Sequence, residues 1–114
     1  MVHPFRKPIP PDARAPAEVR FLDVRIEPWE DRKRFKVLIH LTPFQEFPNL
    51  EVSLFNAQAE EIAHTSVIEN SEEKLVFTMH LRGNPTPGQP YSLQVTLSYP
   101  DLPKVDQTQV SFTL

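Results

Sequence analysis

From Val19 onward, apolar residues recur at every second position in short runs. Val19, Phe21, Val24 and Ile26 form the first, and their phase slips between Phe21 and Val24. Phe35, Val37, Ile39 and Leu41 alternate strictly, and Leu50, Val52 and Leu54 follow. A weaker fourth run covers Ile62 to Ile68, with Ala63, Thr65 and Val67 on the opposite phase. Leu75, Phe77, Met79 and Leu81 form the fifth, Tyr91, Leu93, Val95, Leu97 and Tyr99 the sixth, and Val110, Phe112 and Leu114 the seventh. A period of two sends successive side chains to opposite faces, so each run predicts a strand with one buried and one wet face. The slip in the first run predicts a bulge or bend. No stretch of ten or more residues carries a helical stripe, although Asn56 to Ala63 has room for one helical turn.

Turn-forming residues sit between the runs: Pro28, the Pro43 to Pro48 stretch, Asn70-Ser71, Asn84 to Gly88 and Pro100 to Pro103. Short strands spaced by turns predict an all-β fold, a seven-stranded antiparallel immunoglobulin-like sandwich over residues 17–114. Residues 1–16 precede it with five prolines and the cations Arg6, Lys7 and Arg14. Proline fixes φ and donates no hydrogen bond, so this segment reads as an extended proline-rich tail with little regular structure.

The segment Pro87-Gly88-Gln89-Pro90-Tyr91-Ser92-Leu93-Gln94-Val95 resembles the proline-glycine turn and tyrosine corner of fibronectin type III and related immunoglobulin-like domains. The resemblance implies that Tyr91 is buried, with its hydroxyl bonded to backbone upstream, and that Leu81 is the apolar residue before the turn. The chain departs from that pattern in the longer turn between Leu81 and Tyr91. Its single Trp also follows the first strand rather than lying on an inner one. Such folds host many activities, so the resemblance speaks to architecture.

Composition narrows the chemistry. The 114 residues include thirteen prolines, two glycines and no cysteine, with a net charge of −3. The missing cysteine excludes a disulfide scaffold, a thiolate zinc site and a cysteine nucleophile. Two glycines cannot build a phosphate-cradling loop. The acidic balance argues against nucleic acid as a partner. No apolar run is long enough for a membrane span, and residues 1–16 contain no apolar signal core. If Met1 is the natural start, the expected compartment is the cytoplasm.

His40 and His80 fall on the outward phase of strands expected to pair antiparallel. Full overlap would separate them by four rungs, roughly 13 Å, which is too far for one metal ion. The Glu60-Glu61 and Glu72-Glu73 pairs point to opposite faces when extended, so neither makes an acid–base pair alone. Charges such as Glu60, Glu61 and Glu69 instead read as guards of an edge strand. Ser53, Ser66, Ser71, Ser92, Ser98 and Ser111 lack a nucleophile elbow. No catalytic residue, metal ligand or cofactor is therefore expected.

Partner contacts are the stronger candidates. Phe44 and Phe47 lie in a proline-stiffened connection, where they serve either as a preformed contact or as a lid over the core. Leu38 and Val76 share the outward phase of two neighbouring strands, and Phe5 or Ile9 of the tail could cover them. Trp29 sits among charges at the end of the first strand, where it reads as a plug for the open end of the sandwich or as a sugar platform together with Tyr99. These residues predict a non-catalytic protein-protein interaction or assembly module with a protein partner. The alternative is a carbohydrate- or small-ligand-binding β-sandwich module. Oligomeric state is not encoded in the pattern.

Overall fold

The computed structural model describes residues 11–81 and 83–113. Seven strands form two antiparallel sheets: β1 (Phe21–Pro28), β2 (Arg34–Leu41), β3 (Asn49–Phe55), β4 (Glu61–Val67), β5 (Lys74–His80), β6 (Pro90–Tyr99) and β7 (Leu102–Thr113). One sheet runs β1-β2-β5 and the other β4-β3-β6-β7. The molecule is an all-β sandwich, as the period-two pattern predicts. Its core is built from the inward phase of each run: Phe35, Val37, Ile39 and Leu41 from one sheet, and Leu50, Val52, Leu54, Leu93, Val95 and Leu97 from the other, all essentially sealed from water. Phe112 of β7 joins the layers, meeting Phe35 edge-on at 5.6 Å and stacking on Tyr91 at 5.6 Å.

The expected bulge is present: the β1–β2 register shifts between Phe21 and Asp23. It returns Val24 and Ile26 to the core side after the phase slip. The tyrosine corner also forms. Tyr91 is buried, and its hydroxyl accepts a hydrogen bond from the amide of Thr86 at 2.9 Å. Gly88 takes φ +79° after Pro87, and the Gln89 amide turns back to the Thr86 carbonyl. Proline followed by a left-handed glycine suits a type II turn, and a side chain at Gly88 would meet strain but no steric obstacle.

Several boundaries differ from the pattern. β7 begins at Leu102, not near Val110, because the chain reverses within Pro100-Asp101 and pairs at once with β6, Tyr99 opposite Leu102. The early part of β7 was hidden by Pro103, Lys104 and Gln107, which an edge strand tolerates. Asn56 to Ala63 forms no helical turn. The Asn56 carboxamide instead accepts the amides of Gln58 and Glu60, closing a β3–β4 hairpin in which Ala59 has φ 61°. Val19 precedes β1 rather than opening it, yet is fully buried.

The described end of the N-terminal segment has more order than its prolines imply. Arg14 makes a parallel bridge with Phe44, exchanging bonds with the Pro43 carbonyl and the Gln45 amide at 3.0 Å each. Pro16–Glu18 then forms a 3₁₀ turn. Leu114, Phe5 and Ile9 lie outside the described residues. Among those described, no helix is long and apolar enough to cross a membrane.

Candidate interaction surface

The two outer faces of the sandwich differ in chemistry. On the four-stranded sheet, register aligns Ser66, Glu51, Thr96 and Gln107 in one row, and His64, Ser53, Gln94 and Gln109 in the next. These rows are short hydroxyls, amides, an acid and one histidine, without Lys or Arg. Cross-strand bonds tie them together: Gln107 donates to Thr96 and Gln109 to Ser92.

One constellation on this face escaped the sequence reading. His64 lies opposite Ser53, with Nδ1 3.0 Å from the Ser53 hydroxyl and 2.9 Å from Glu61. Its Nε2 is 2.7 Å from Glu51 and 3.2 Å from Ser66. Serine, histidine and carboxylate are therefore within hydrogen-bond reach, which is the raw material of a nucleophilic triad. The arrangement does not follow that logic. A triad needs one ring nitrogen free to accept the serine proton, whereas here each nitrogen faces a carboxylate. Ser66 donates to Glu51 at 2.6 Å and Ser53 to Glu61 at 3.2 Å, so the hydroxyl protons rest on acids. The group clasps edge strand β4 to β3. The signal that could have found it was the shared outward phase of Glu51, Ser53, His64 and Ser66 on successive strands.

The three-stranded sheet presents the apolar candidates. Leu38 and Val76 are direct register partners across β2 and β5, with Arg25 opposite Leu38 on β1. The next row is Asp23, His40 and Lys74, and the row on the other side is Glu27, Lys36 and Thr78. Val76 is 60% exposed, and Leu38 is half-buried beside it. A shallow groove of about 300 Å³ runs over them, edged by Asp23, Arg25, His40 and Lys74. Arg25 is paired with Asp23 at 2.8 Å on the rim. The apolar pair thus sits inside a frame of both charges, with Arg25, Lys36 and Lys74 against Asp23 and Glu27, unlike the hydroxyl-rich face opposite.

The other candidates separate on burial. Phe44 is only 8% exposed and packs into the core, with Phe47 half-buried against it, edge-on at 6.2 Å. The pair therefore covers the end of the sandwich, and Tyr99 anchors the same loop by donating its hydroxyl to the Glu46 carbonyl at 2.9 Å. Burial and the nearby Glu46 carboxylate push the Tyr99 phenol up to about 12. Being buried, Tyr99 cannot be the sugar-stacking partner considered for Trp29.

Trp29 does not plug the sandwich. It is 42% exposed at the tip of the β1–β2 hairpin, with the Arg34 guanidinium 4.2 Å from its ring centre. The tip closes through Trp29 N–H to the Arg34 carbonyl and Arg32 N–H to the Trp29 carbonyl. Asp31 accepts the Lys33 and Arg34 amides and pairs with the Arg34 side chain at 2.9 Å. These bonds, led by the Lys33 amide, hold the Asp31 carboxyl below its usual range. The loop charges complete this turn, which leaves the indole at the surface.

His40 and His80 are farther apart than four rungs. His40 pairs with Lys74 and His80 with Arg34, at opposite ends of the β2–β5 ladder. Those rungs lie six positions apart along β2, roughly 20 Å at strand rise. Among the described residues, no group of three or more His, Cys, Asp or Glu is placed to hold a metal ion.

No protein-family description matches the sequence, and no curated protein matches it. Solved structures do. The chain superimposes on part of the Parabacteroides merdae β-glucuronidase with a TM-score of 0.69 at 17% identity, covering 84% of this chain and 13% of that one. A glycosyl hydrolase family 2 member from Bacteroides cellulosilyticus gives 0.60 at 14% identity, covering 83% of this chain and 15% of that one. The Ruminococcus gnavus β-glucuronidase gives 0.53 at 15% identity, covering 85% and 16%. At these identities the likeness is one of fold: the chain spans about one seventh of such enzymes.

Proposed function

We propose that the chain is a non-catalytic β-sandwich module whose role is protein–protein assembly through the outer face of its three-stranded sheet. The observation that carries this reading is the Leu38–Val76 pair, aligned in register and open to water within a rim of charged residues. An apolar centre with a polar rim is the anatomy of a contact surface, where the centre supplies affinity and the rim supplies orientation. The β-sandwich likeness to glycoside hydrolases supports a setting in which the module accompanies a carbohydrate-active enzyme. The fibronectin-type resemblance around Tyr91 supports the same scaffold role.

The test is affinity capture from source cells with the intact chain beside a Leu38→Thr/Val76→Thr variant. A partner held by the intact chain and released by the variant, with thermal stability kept, upholds the reading. A partner held equally by both places recognition elsewhere and sinks it.

A second reading is favoured by the exposed indole of Trp29 together with the glycosidase likeness. Here the face of the Trp29 ring that Arg34 does not cover stacks on a sugar. Titration of Trp29 fluorescence with a panel of glucuronides and neutral oligosaccharides decides this, and a flat response across the panel removes it.

A further inference from the structure

A second groove, of about 430 Å³, opens between the β2–β3 loop, the β4–β5 loop and the β6–β7 turn. Its lining is Glu46, Phe47, Asn49, Ile68, Glu69 and Pro100. Its apolar lining residues are Phe47, Ile68 and Pro100, and its charged ones are Glu46 and Glu69. Ile68 is 65% exposed, and Glu69 takes φ 50°, with its amide held by the Asn49 carboxamide at 2.8 Å. The Asn70 amide bonds the Pro48 carbonyl at 2.8 Å, which locks the two lining loops together. Neither Glu46 nor Glu69 forms an ion pair with another described residue.

We propose that this groove is a docking site for a basic, proline-rich extended peptide, and that its occupant is the chain's own residues 1–10. Two observations and one general property of proline-rich peptides converge on that segment. Its sequence, Met-Val-His-Pro-Phe-Arg-Lys-Pro-Ile-Pro, carries two cations, no acid and two large apolar side chains among three prolines. That complements two carboxylates around Phe47, Ile68 and Pro100. The tether is adjacent: the Ala13 carbonyl accepts from the Gln45 side chain at 3.1 Å, and the Gln45 amide bonds the Arg14 carbonyl at 3.0 Å. Gln45 directly precedes Glu46. Finally, proline-rich peptides bind aromatic-lined grooves with little ordering cost, because the extended form is already favoured.

Reach alone does not select this site. Ten extended residues span roughly 31 Å, enough to approach the Leu38–Val76 face as well. Charge selects it. The charged lining of the Leu38–Val76 groove is Asp23, Arg25 and Lys74, with Arg25 already paired to Asp23, so it carries an excess positive charge. By contrast, the only charged residues lining the second groove, Glu46 and Glu69, attract Arg6 and Lys7. A tail seated here leaves the three-stranded face open for a partner.

The experiment uses the full-length chain, whose lack of cysteine allows a single nitroxide label at Val2→Cys. Paramagnetic loss of amide signal at Asn49, Ile68 and Glu69, independent of protein concentration, is the expected result. A Glu46→Lys/Glu69→Lys variant, both positions being exposed, keeps a folded spectrum and loses the effect. Adding Arg6→Glu/Lys7→Glu to that variant restores it by charge reversal. Signal loss centred on Leu38 and Val76, signal loss that grows with concentration and so reports a second copy, or no localised loss at all would each overturn the proposal.

Discussion

The amide of Thr86 donates to the phenol of Tyr91 at 2.9 Å, joining the loop before β6 to a residue inside that strand. The bond closes the Pro87-Gly88 turn from the inside. Tyr91→Phe keeps the ring stacked on Phe112 but strands the Thr86 amide. The expected loss is about 1 kcal/mol by urea denaturation at unchanged m-value. Faster hydrogen exchange at Thr86 accompanies it, and an unchanged midpoint would remove the bond from any account of stability.

The two phenylalanines of the β2–β3 loop separate by depth. Phe44→Ala opens a cavity beneath the loop and costs about 3 kcal/mol, whereas Phe47→Ala, being half-buried, costs about 1 kcal/mol. Equal small effects at both positions would mean that the loop is not a lid. Thermal or chemical unfolding of the two single variants decides.

Val76 gains little from the fold because it is 60% exposed, and Leu38, half-buried beside it, keeps part of its surface in water. Leu38→Thr/Val76→Thr keeps β-forming side chains, so its stability stays within about 1 kcal/mol of the parent. A much larger loss would show that the pair is structural and would weaken the assembly reading. Circular-dichroism melts are sufficient to distinguish these outcomes.

Tyr99 provides a pH test. Its phenol is pushed up to about 12 in the folded chain against an ordinary value of 10.0. The folded state therefore holds the proton more tightly. Stability from this group is fully present below pH 10 and is lost as pH rises through about 12. Tyr99→Phe sacrifices the bond to Glu46, at a cost of about 1 kcal/mol near neutrality. It also flattens the alkaline fall in denaturation midpoint. An equally steep fall in both proteins would assign the alkaline transition to other groups.

The strand content was legible because a half-buried strand needs little beyond alternation, and Phe35 to Leu41 and Tyr91 to Tyr99 alternate without a break. The tyrosine corner was legible because a proline-glycine turn places Tyr91 at a defined offset. Even the bulge at Phe21 to Asp23 announced itself as a phase slip. The missed half of β7 has the opposite character. This edge strand's inward row is only half-buried and admits Pro103, so its pattern fades although its ladder to β6 is long.

What the chain alone determined was the set of strands, their inward faces and the outward phase of Leu38 and Val76, since side-chain direction follows local periodicity. Tertiary structure decided everything that depends on which strands meet. It put Leu38 beside Val76, set His40 and His80 at opposite ends of a ladder, and gathered Ser53, His64, Glu51 and Glu61 into one clasp. It also turned Phe44 inward, left Trp29 outside, and brought Glu46 and Glu69 to one groove beside the N-terminal tether. Register and loop packing are set by contacts between residues distant in sequence, and alternation within a strand does not encode them.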